Sequence, residues 1–341
     1  MELRSPGAAW IGAALSTAAL VSSAGAGVHV VGSGETFAQI SAAVAAAQDG
    51  DTILVESGWY APFTVDGKGL TIVAEAGATV TIGVLGLVPQ RSTVRALTAN
   101  QTVVIRGIDG PFLLFGNAGA VRLEDCAIVG EPGDCSPLGC QPATAGVEVI
   151  DSASVAITRC AVTGGAGDRY VIPPFDLCIG GGPGLRVAGS TTVLYDTSVA
   201  GGAGAGACGA GPATDATPGA VVDGLAPQHR FAATSPLRKA QLGSLEFAGQ
   251  AGDLPILLIT AGPDLVLAPQ YQGALLVGPI SGVAVLGALP ASGTSSIPLF
   301  VGDLPPAGTH ALDLHLQAAY ATGGGFVLAD ASVVTMLDPS F

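Results

Sequence analysis

Charge is what this 341-residue chain has least of: Asp, Glu, Lys and Arg together make up 11% of it, and only two residues, Lys68 and Lys239, are lysines. With 26 acidic against 12 basic residues the formal net charge is −14, so no basic patch is available to neutralise phosphates. A nucleic-acid partner is excluded on that ground, and an anionic membrane surface equally. Aromatics are 5% of the chain, and no histidine lies between positions 30 and 228. With no Cys-x-x-Cys pair either, a zinc site in that long stretch is not expected. Few Lys and Glu also leave little to build a helix-rich surface.

What is abundant is glycine, 51 residues of it, on an aliphatic background. High hydrophobicity rules out disorder and points to many short strands joined by tight turns. The strongest internal signal is a repeat. FLLFGNAGAVRLEDCAIVGE (112–131) and GVEVIDSASVAITRCAVTGG (146–165) share one frame, and GLRVAGSTTVLYDTSVAGG (184–202) follows one residue shorter. Val121 falls on Val155, Leu123 on Ile157, Cys126 on Cys160 and Ile128 on Val162. A unit of this kind cannot bury its apolar face alone and must stack on its copies, which is the pattern of a parallel β-helix.

The first 26 residues read as a secretory signal: Arg4 in a short leading segment, an apolar stretch from Ala8 to Val21, and Ala24-Gly25-Ala26 for cleavage. No membrane span is expected once it is removed. Export to an extracellular or cell-surface location gives the six cysteines a meaning. Cys126 and Cys160 occupy equivalent repeat positions and should stack. Cys135, Cys140, Cys178 and Cys208 lie in the inserts, with Cys135–Cys140 and Cys178–Cys208 the expected disulfides.

Residues 29–82 begin with Thr36 and Gln39 at capping-box spacing, then Phe37, Ile40, Val44 and Ala47 at helical spacing, ended by Asp49-Gly50-Asp51. A single short helix ahead of a solenoid would cover its open end. Gly34, Thr36-Phe37, Ile40, Ala43-Val44, Gly50-Asp51-Thr52-Ile53, Val55, Gly58, Tyr60, Val65 and Leu70-Thr71-Ile72 together resemble the N-terminal cap of secreted right-handed parallel β-helix proteins of the pectin-lyase-like superfamily. With the repeats, the resemblance covers residues 29 to about 225. It implies coils of three short parallel sheets around a narrow aliphatic core. The Cys126/Cys160 position resembles the one where such proteins stack asparagine, so thiols replace an Asn ladder here.

From about residue 233 roughly ten alternating segments follow, including LPILLIT, GFVLAD and SVVTML. In THALDLHLQAA, Leu312, Leu314, Leu316 and Ala318 share one face, and Asp313, His315 and Gln317 the other, which is expected to be solvated. The expected fold is all-β: signal peptide 1–26, right-handed parallel β-helix 27–228 with its helix cap, and an antiparallel β-sandwich 229–341. LAPQHRFAATSPLRK (225–239) is the expected linker between the last two.

Inserts 131–145, 165–183 and 203–219 leave the repeats at one phase, so they should project from one edge side by side, where function concentrates. Asp168, Arg169, Tyr170 and Asp176 in the longest insert are the candidate ligand-binding residues: acid, guanidinium and aromatic face together suit a sugar. The plainer alternative pairs Asp168 with Arg169 while Tyr170 and Phe175 fold the loop on itself. Catalytic residues are not identifiable. Polysaccharide lyases need carboxylates holding calcium and a basic residue, and hydrolases need paired carboxylates, and neither motif transfers. Gly204 to Gly209 match GxGxxG, but Pro212 and Pro218 follow where a helix would have to start. The expected function is a non-catalytic secreted or surface protein, structural, adhesive or carbohydrate-binding, facing an extracellular glycan or surface protein and needing no cofactor. The alternative is a polysaccharide lyase or glycoside hydrolase working from the insert-bearing edge, with Ca2+ only in that case.

Overall fold

The computed structural model describes residues 26–83, 91–136, 139–172, 175–218, 220–225, 229–260, 262–268, 273–302 and 309–341. The expected signal segment therefore lies, but for Ala26, outside the described residues. Two compact units divide the chain, one formed by residues 29–49 and 53–224 and the other mainly by residues 225–341.

The first unit is a parallel β-helix. Its long sheet has eight strands: Val28–Val31, Thr52–Val55, Leu70–Ala74, Thr102–Arg106, Ala120–Glu124, Ser154–Thr158, Thr191–Tyr195 and Val221–Leu225. A second sheet of six runs through Thr64–Asp66, Ser92–Arg95, Phe112–Phe115, Val147–Ile150, Leu185–Ala188 and Thr214–Ala216. The third face is split into Gly58–Tyr60, Val80–Ile82 and Ile108–Asp109, then Ala127–Val129, Ala161–Thr163 and Ser198–Ala200. The chain visits long sheet, third face and second sheet in turn.

Register follows the repeat frame: Val121 lies beside Val155, Leu123 beside Ile157, and Ile128 beside Val162. Period-two alternation turns these residues inward. With Phe112, Leu114, Val147, Val149, Leu185 and Val187 they form one continuous buried core. Each such side chain contributes about 1.5–3 kcal/mol by leaving water.

In four successive coils the turn from the long sheet to the third face takes a left-handed residue. Gly107, Asp125, Arg159 and Asp196 fill it at φ 68°, 54°, 52° and 45°. Beside it runs a side-chain ladder. The Cys126 N–H donates to Cys160 Sγ at 3.4 Å, and the Cys160 N–H to Thr197 Oγ1 at 3.2 Å. Both cysteines are buried free thiols. An asparagine does serve at the other turn, where Asn117 Oδ1 accepts from the Leu97 N–H and its Nδ2 donates to Ser152 Oγ, which is followed by Ser190. The register of the second sheet, Phe112 beside Val147, runs one residue off the spacing that sets Cys126 on Cys160. The frame of the repeat therefore pairs Asn117 with Asp151 and hides its partner, Ser152.

The helix is Ile40–Ala46, shorter than its apolar spacing suggests, and the capping box does not form. Phe37 is extended and bridges Val31, while Gln39 Oε1 accepts from the Ala61 N–H instead of turning back. Ile40, Ala43, Val44 and Ala47 join the coil core as an end cover. Lys68 closes the C-terminus of the helix, donating to the carbonyls of Val44, Ala45 and Ala47 at 2.9, 3.1 and 2.7 Å.

In the second unit, Arg230–Ala233, Leu242–Ala248 and Thr294–Phe300 form one antiparallel sheet. Leu237–Arg238, Gly325–Leu337, Ala311–Thr322, Leu254–Thr260 and Ile280–Val285 form another, antiparallel except at its first pair. Phe231, Phe247, Ile259, Leu314, Leu316, Tyr320 and Val334 share the core between them. Three expectations change. Residues 230–233 and 237–238 of the expected linker are strands of this unit, anchored by fully buried Phe231. GFVLAD and SVVTML are one strand of 13 residues. And the face carrying Asp313, His315 and Gln317 is not solvated. The hairpin Pro263–Ala268/Gly273–Val277 covers it, Gln317 bonding to Leu276 N–H and to the carbonyls of Ala274 and Ala329. His315 is buried there and Asp313 accepts from Thr335 Oγ1.

Candidate functional site

The inserts follow Val129, Thr163 and Ala200 of the third face and return to the second sheet, so they emerge at one corner of the coil. The glycines at the base of the inserts are required by the packing of their limbs. Outgoing and returning limbs alternate and are laced by main-chain bonds: Thr144 N–H to Glu131 O at 2.9 Å, Gly165 to Thr144 at 2.9 Å, Gly182 to Gly165 at 2.8 Å, Gly202 to Gly182 at 2.8 Å and Gly211 to Gly202 at 2.9 Å. A second set ties limbs of like direction, Gly133 to Ala166 at 2.8 Å and Gly167 to Ala203 at 2.7 Å. Bonding in two directions draws the backbones together until no side chain fits. A Cβ on Gly165 would lie 1.8 Å from Glu131 O, and one on Gly202 1.8 Å from Gly165 O.

Beyond this lattice, the first two inserts end in hairpins, Asp134–Ser136/Gly139–Gln141 and Arg169–Ile172/Phe175–Cys178. Cys135–Cys140 bridges the first hairpin, and Cys178–Cys208 ties the second insert to the third. The GxGxxG stretch is part of that third loop, where no helix follows.

The four candidate residues are near one another and differ in what they do. Asp168 Oδ2 accepts the Cys135 N–H at 2.7 Å, joining the first two inserts. That bond, with a second from the Arg169 N–H, holds its carboxyl below the usual range. Arg169 pairs with Asp176, not with Asp168: Nε to Oδ1 is 2.9 Å and Nη2 to Oδ2 is 2.8 Å. The hairpin register explains this, since Arg169 opposes Cys178 and so sits diagonal to Asp176 on the same face. The Arg169 hydrogen bond lowers the Asp176 carboxyl in turn. Tyr170 opposes Leu177 across the hairpin, half-buried, with Val171 exposed beside it.

A second ionic group lies on the long sheet. Asp125 accepts from Arg106 Nε at 2.9 Å and Arg159 Nε at 2.7 Å, and Glu124 lies 3.4 Å from Arg159 and 3.9 Å from Arg122. Burial alone would raise the Asp125 carboxyl, but the guanidiniums of Arg159 and Arg106 outweigh it and hold it low. Burial pushes Arg122 down to about 10 against the pull of Glu124. Glu124 and Arg122 are 1% and 3% exposed, which bars a polymer from reaching them. The repeat spacing holds the signal for this group, since Asp125 and Arg159 fall at equivalent positions of adjacent coils, but reading the repeat for its apolar residues alone misses it.

Among the described residues no group of three or more His, Cys, Asp or Glu side chains converges to hold a metal. Asp168 and Asp176 already spend their oxygens on an amide and a guanidinium, so this corner does not fit a lyase calcium. No helix among the described residues is long and apolar enough to cross a membrane. The fold and this corner define a class, a strand-rich coil with a laced flank of disulfide-bonded inserts. No family model matches the chain, and no curated protein matches it in sequence.

Proposed function

We propose that this is an exported β-helix protein of the pectin-lyase-like superfamily that works without catalysis, as a rigid extracellular scaffold presenting its insert flank to a glycan. The observation that carries the reading is the fate of the candidate residues. Asp168, Arg169 and Asp176 form partnered braces between and within inserts, and the disulfides Cys135–Cys140 and Cys178–Cys208 set the hairpins on a stiff base. A catalytic carboxylate needs a free face toward substrate. A binding surface gains instead from being held in place before its ligand arrives. Tyr170 and Leu177, paired across the hairpin whose opposite face carries the Arg169–Asp176 brace, then offer the apolar face on which a sugar ring packs. The acidic net charge directs this toward neutral glycans.

The test is a panel of neutral and acidic polysaccharides scored for both retention and cleavage. Binding to neutral glycans, weakened about tenfold or more by Tyr170→Ala and with no new chain ends formed, supports the reading. Turnover abolished by Asp168→Asn or Asp176→Asn would reverse it in favour of a lyase or hydrolase.

A further inference from the structure

We propose that the open edge of the C-terminal unit, strand Ile280–Val285, pairs with the same strand of a second copy of this chain, antiparallel about a two-fold axis. Ile280–Val285 ends the order of its five-stranded sheet, with Leu254–Thr260 on one side and nothing paired on the other among the described residues. The Leu286 N–H donates inward to Pro255 O at 2.9 Å. Antiparallel bonding alternates along a strand, so the amides of Ala284 and Gly282 follow it inward and those of Val283 and Val285 face outward. Val283 and Val285 are also 55% and 64% exposed, and Ile280 is 47% exposed.

Edge strands are ordinarily blunted by a Lys, a Pro, a bulge or a covering loop. Gly282 to Val285 hold none of these; the register shift of this pairing leaves Ser281 unmatched between Ile259 and Thr260, so the bulge closes the regular run at its N-terminal end. The chemistry of the strip selects the occupant. From Leu265 to Gly302 no Asp, Glu, Lys or Arg occurs, in a chain of net charge −14. A foreign partner would be recognised better by charge of opposite sign. A copy of the same acidic chain can approach only where charge is missing, because like charges set face to face cost several kcal/mol. An antiparallel two-fold also makes one strand sufficient for both sides, since residue i of one copy meets residue j of the other and residue j meets residue i in return.

The experiment is sedimentation equilibrium on the full chain from low to high micromolar concentration, with Val283→Lys and Val285→Lys beside the wild type. Both substitutions put a lysine at an exposed site, so circular dichroism and the melting curve should match the wild type. The wild type is expected to be a dimer, and each lysine variant to dissociate roughly 100-fold or more more readily. Trp59→Lys, at an exposed apolar site of the β-helix, should leave the dimer intact. A wild type that stays monomeric throughout, or lysine variants that dimerise as tightly as it does, would overturn the proposal.

Discussion

Arg159 holds a backbone conformation that costs an ordinary side chain roughly 1–2 kcal/mol, and its guanidinium makes the position tolerable. At φ 52° it reaches Asp125 in the preceding coil, itself left-handed at φ 54°. The Asp125 carboxyl is held below its unfolded value, so its stabilisation is complete above a pH of about 4 and is lost as pH falls through the folded value. Asp125→Asn should therefore lower the urea midpoint at neutral pH, by the equivalent of about 1–2 kcal/mol once its partial exposure is allowed for. The variant should also show a shallower loss between pH 5 and 3 than the wild type, approximate limits set by the carboxylate range. Equal slopes would show that the pair is not what titrates. Much at this scale is legible in the chain itself, since the repeat spacing alone sets Cys126 on Cys160 and Asp125 on Arg159. Gln39 is not, because its amide has two competing uses, and the neighbouring Ala61 N–H, distant in sequence, wins it.

At the scale of elements the insert flank carries the most information. Its position follows from the phase at which three excursions leave the repeat. Its lattice does not, because glycine permits close backbone approach without stating which backbone approaches. Gly165→Ala and Gly202→Ala force a Cβ against main-chain oxygens that cannot rotate away. Each is expected to cost about 1–3 kcal/mol or more, read as lost amide protection across residues 131–145 and 165–183. A Cβ added at Gly209 would meet no heavy atom within 4 Å beyond its chain neighbours, so Gly209→Ala serves as the neutral control. If all three behave alike, the close packing of limbs is not what requires glycine. The long strand Gly325–Leu337 looks like two in sequence for a related reason. Ala329-Asp330-Ala331 resembles a break, but a register shift opposite it lets buried Asp330 accept the Phe231 N–H while the strand continues.

For the whole molecule the scarcity of charge has two faces. A net charge of −14 repels other copies, and the uncharged run from Leu265 to Gly302 is where the proposed dimer meets little of that repulsion. Added salt screens the repulsion over a Debye length of about 8 Å at 0.15 M, so dimer formation should tighten as ionic strength rises from low to physiological. Sedimentation across a salt series checks this, and weakening with salt would mean that ion pairs, not an apolar edge, join the copies. The all-β class and the parallel coil are legible from composition and repeat. The burial of both faces around His315 and Gln317 is not, since the covering hairpin comes from a different part of the chain.

The lattice beneath the inserts is held chiefly by main-chain bonds, so the loops above it answer to no sequence rule that the lattice imposes. Foreign peptides spliced between Ser136 and Gly139 would meet a foundation indifferent to their identity. Natural variation should gather there for the same reason, making this corner the part of the protein freest to change its recognition while its frame stays constant.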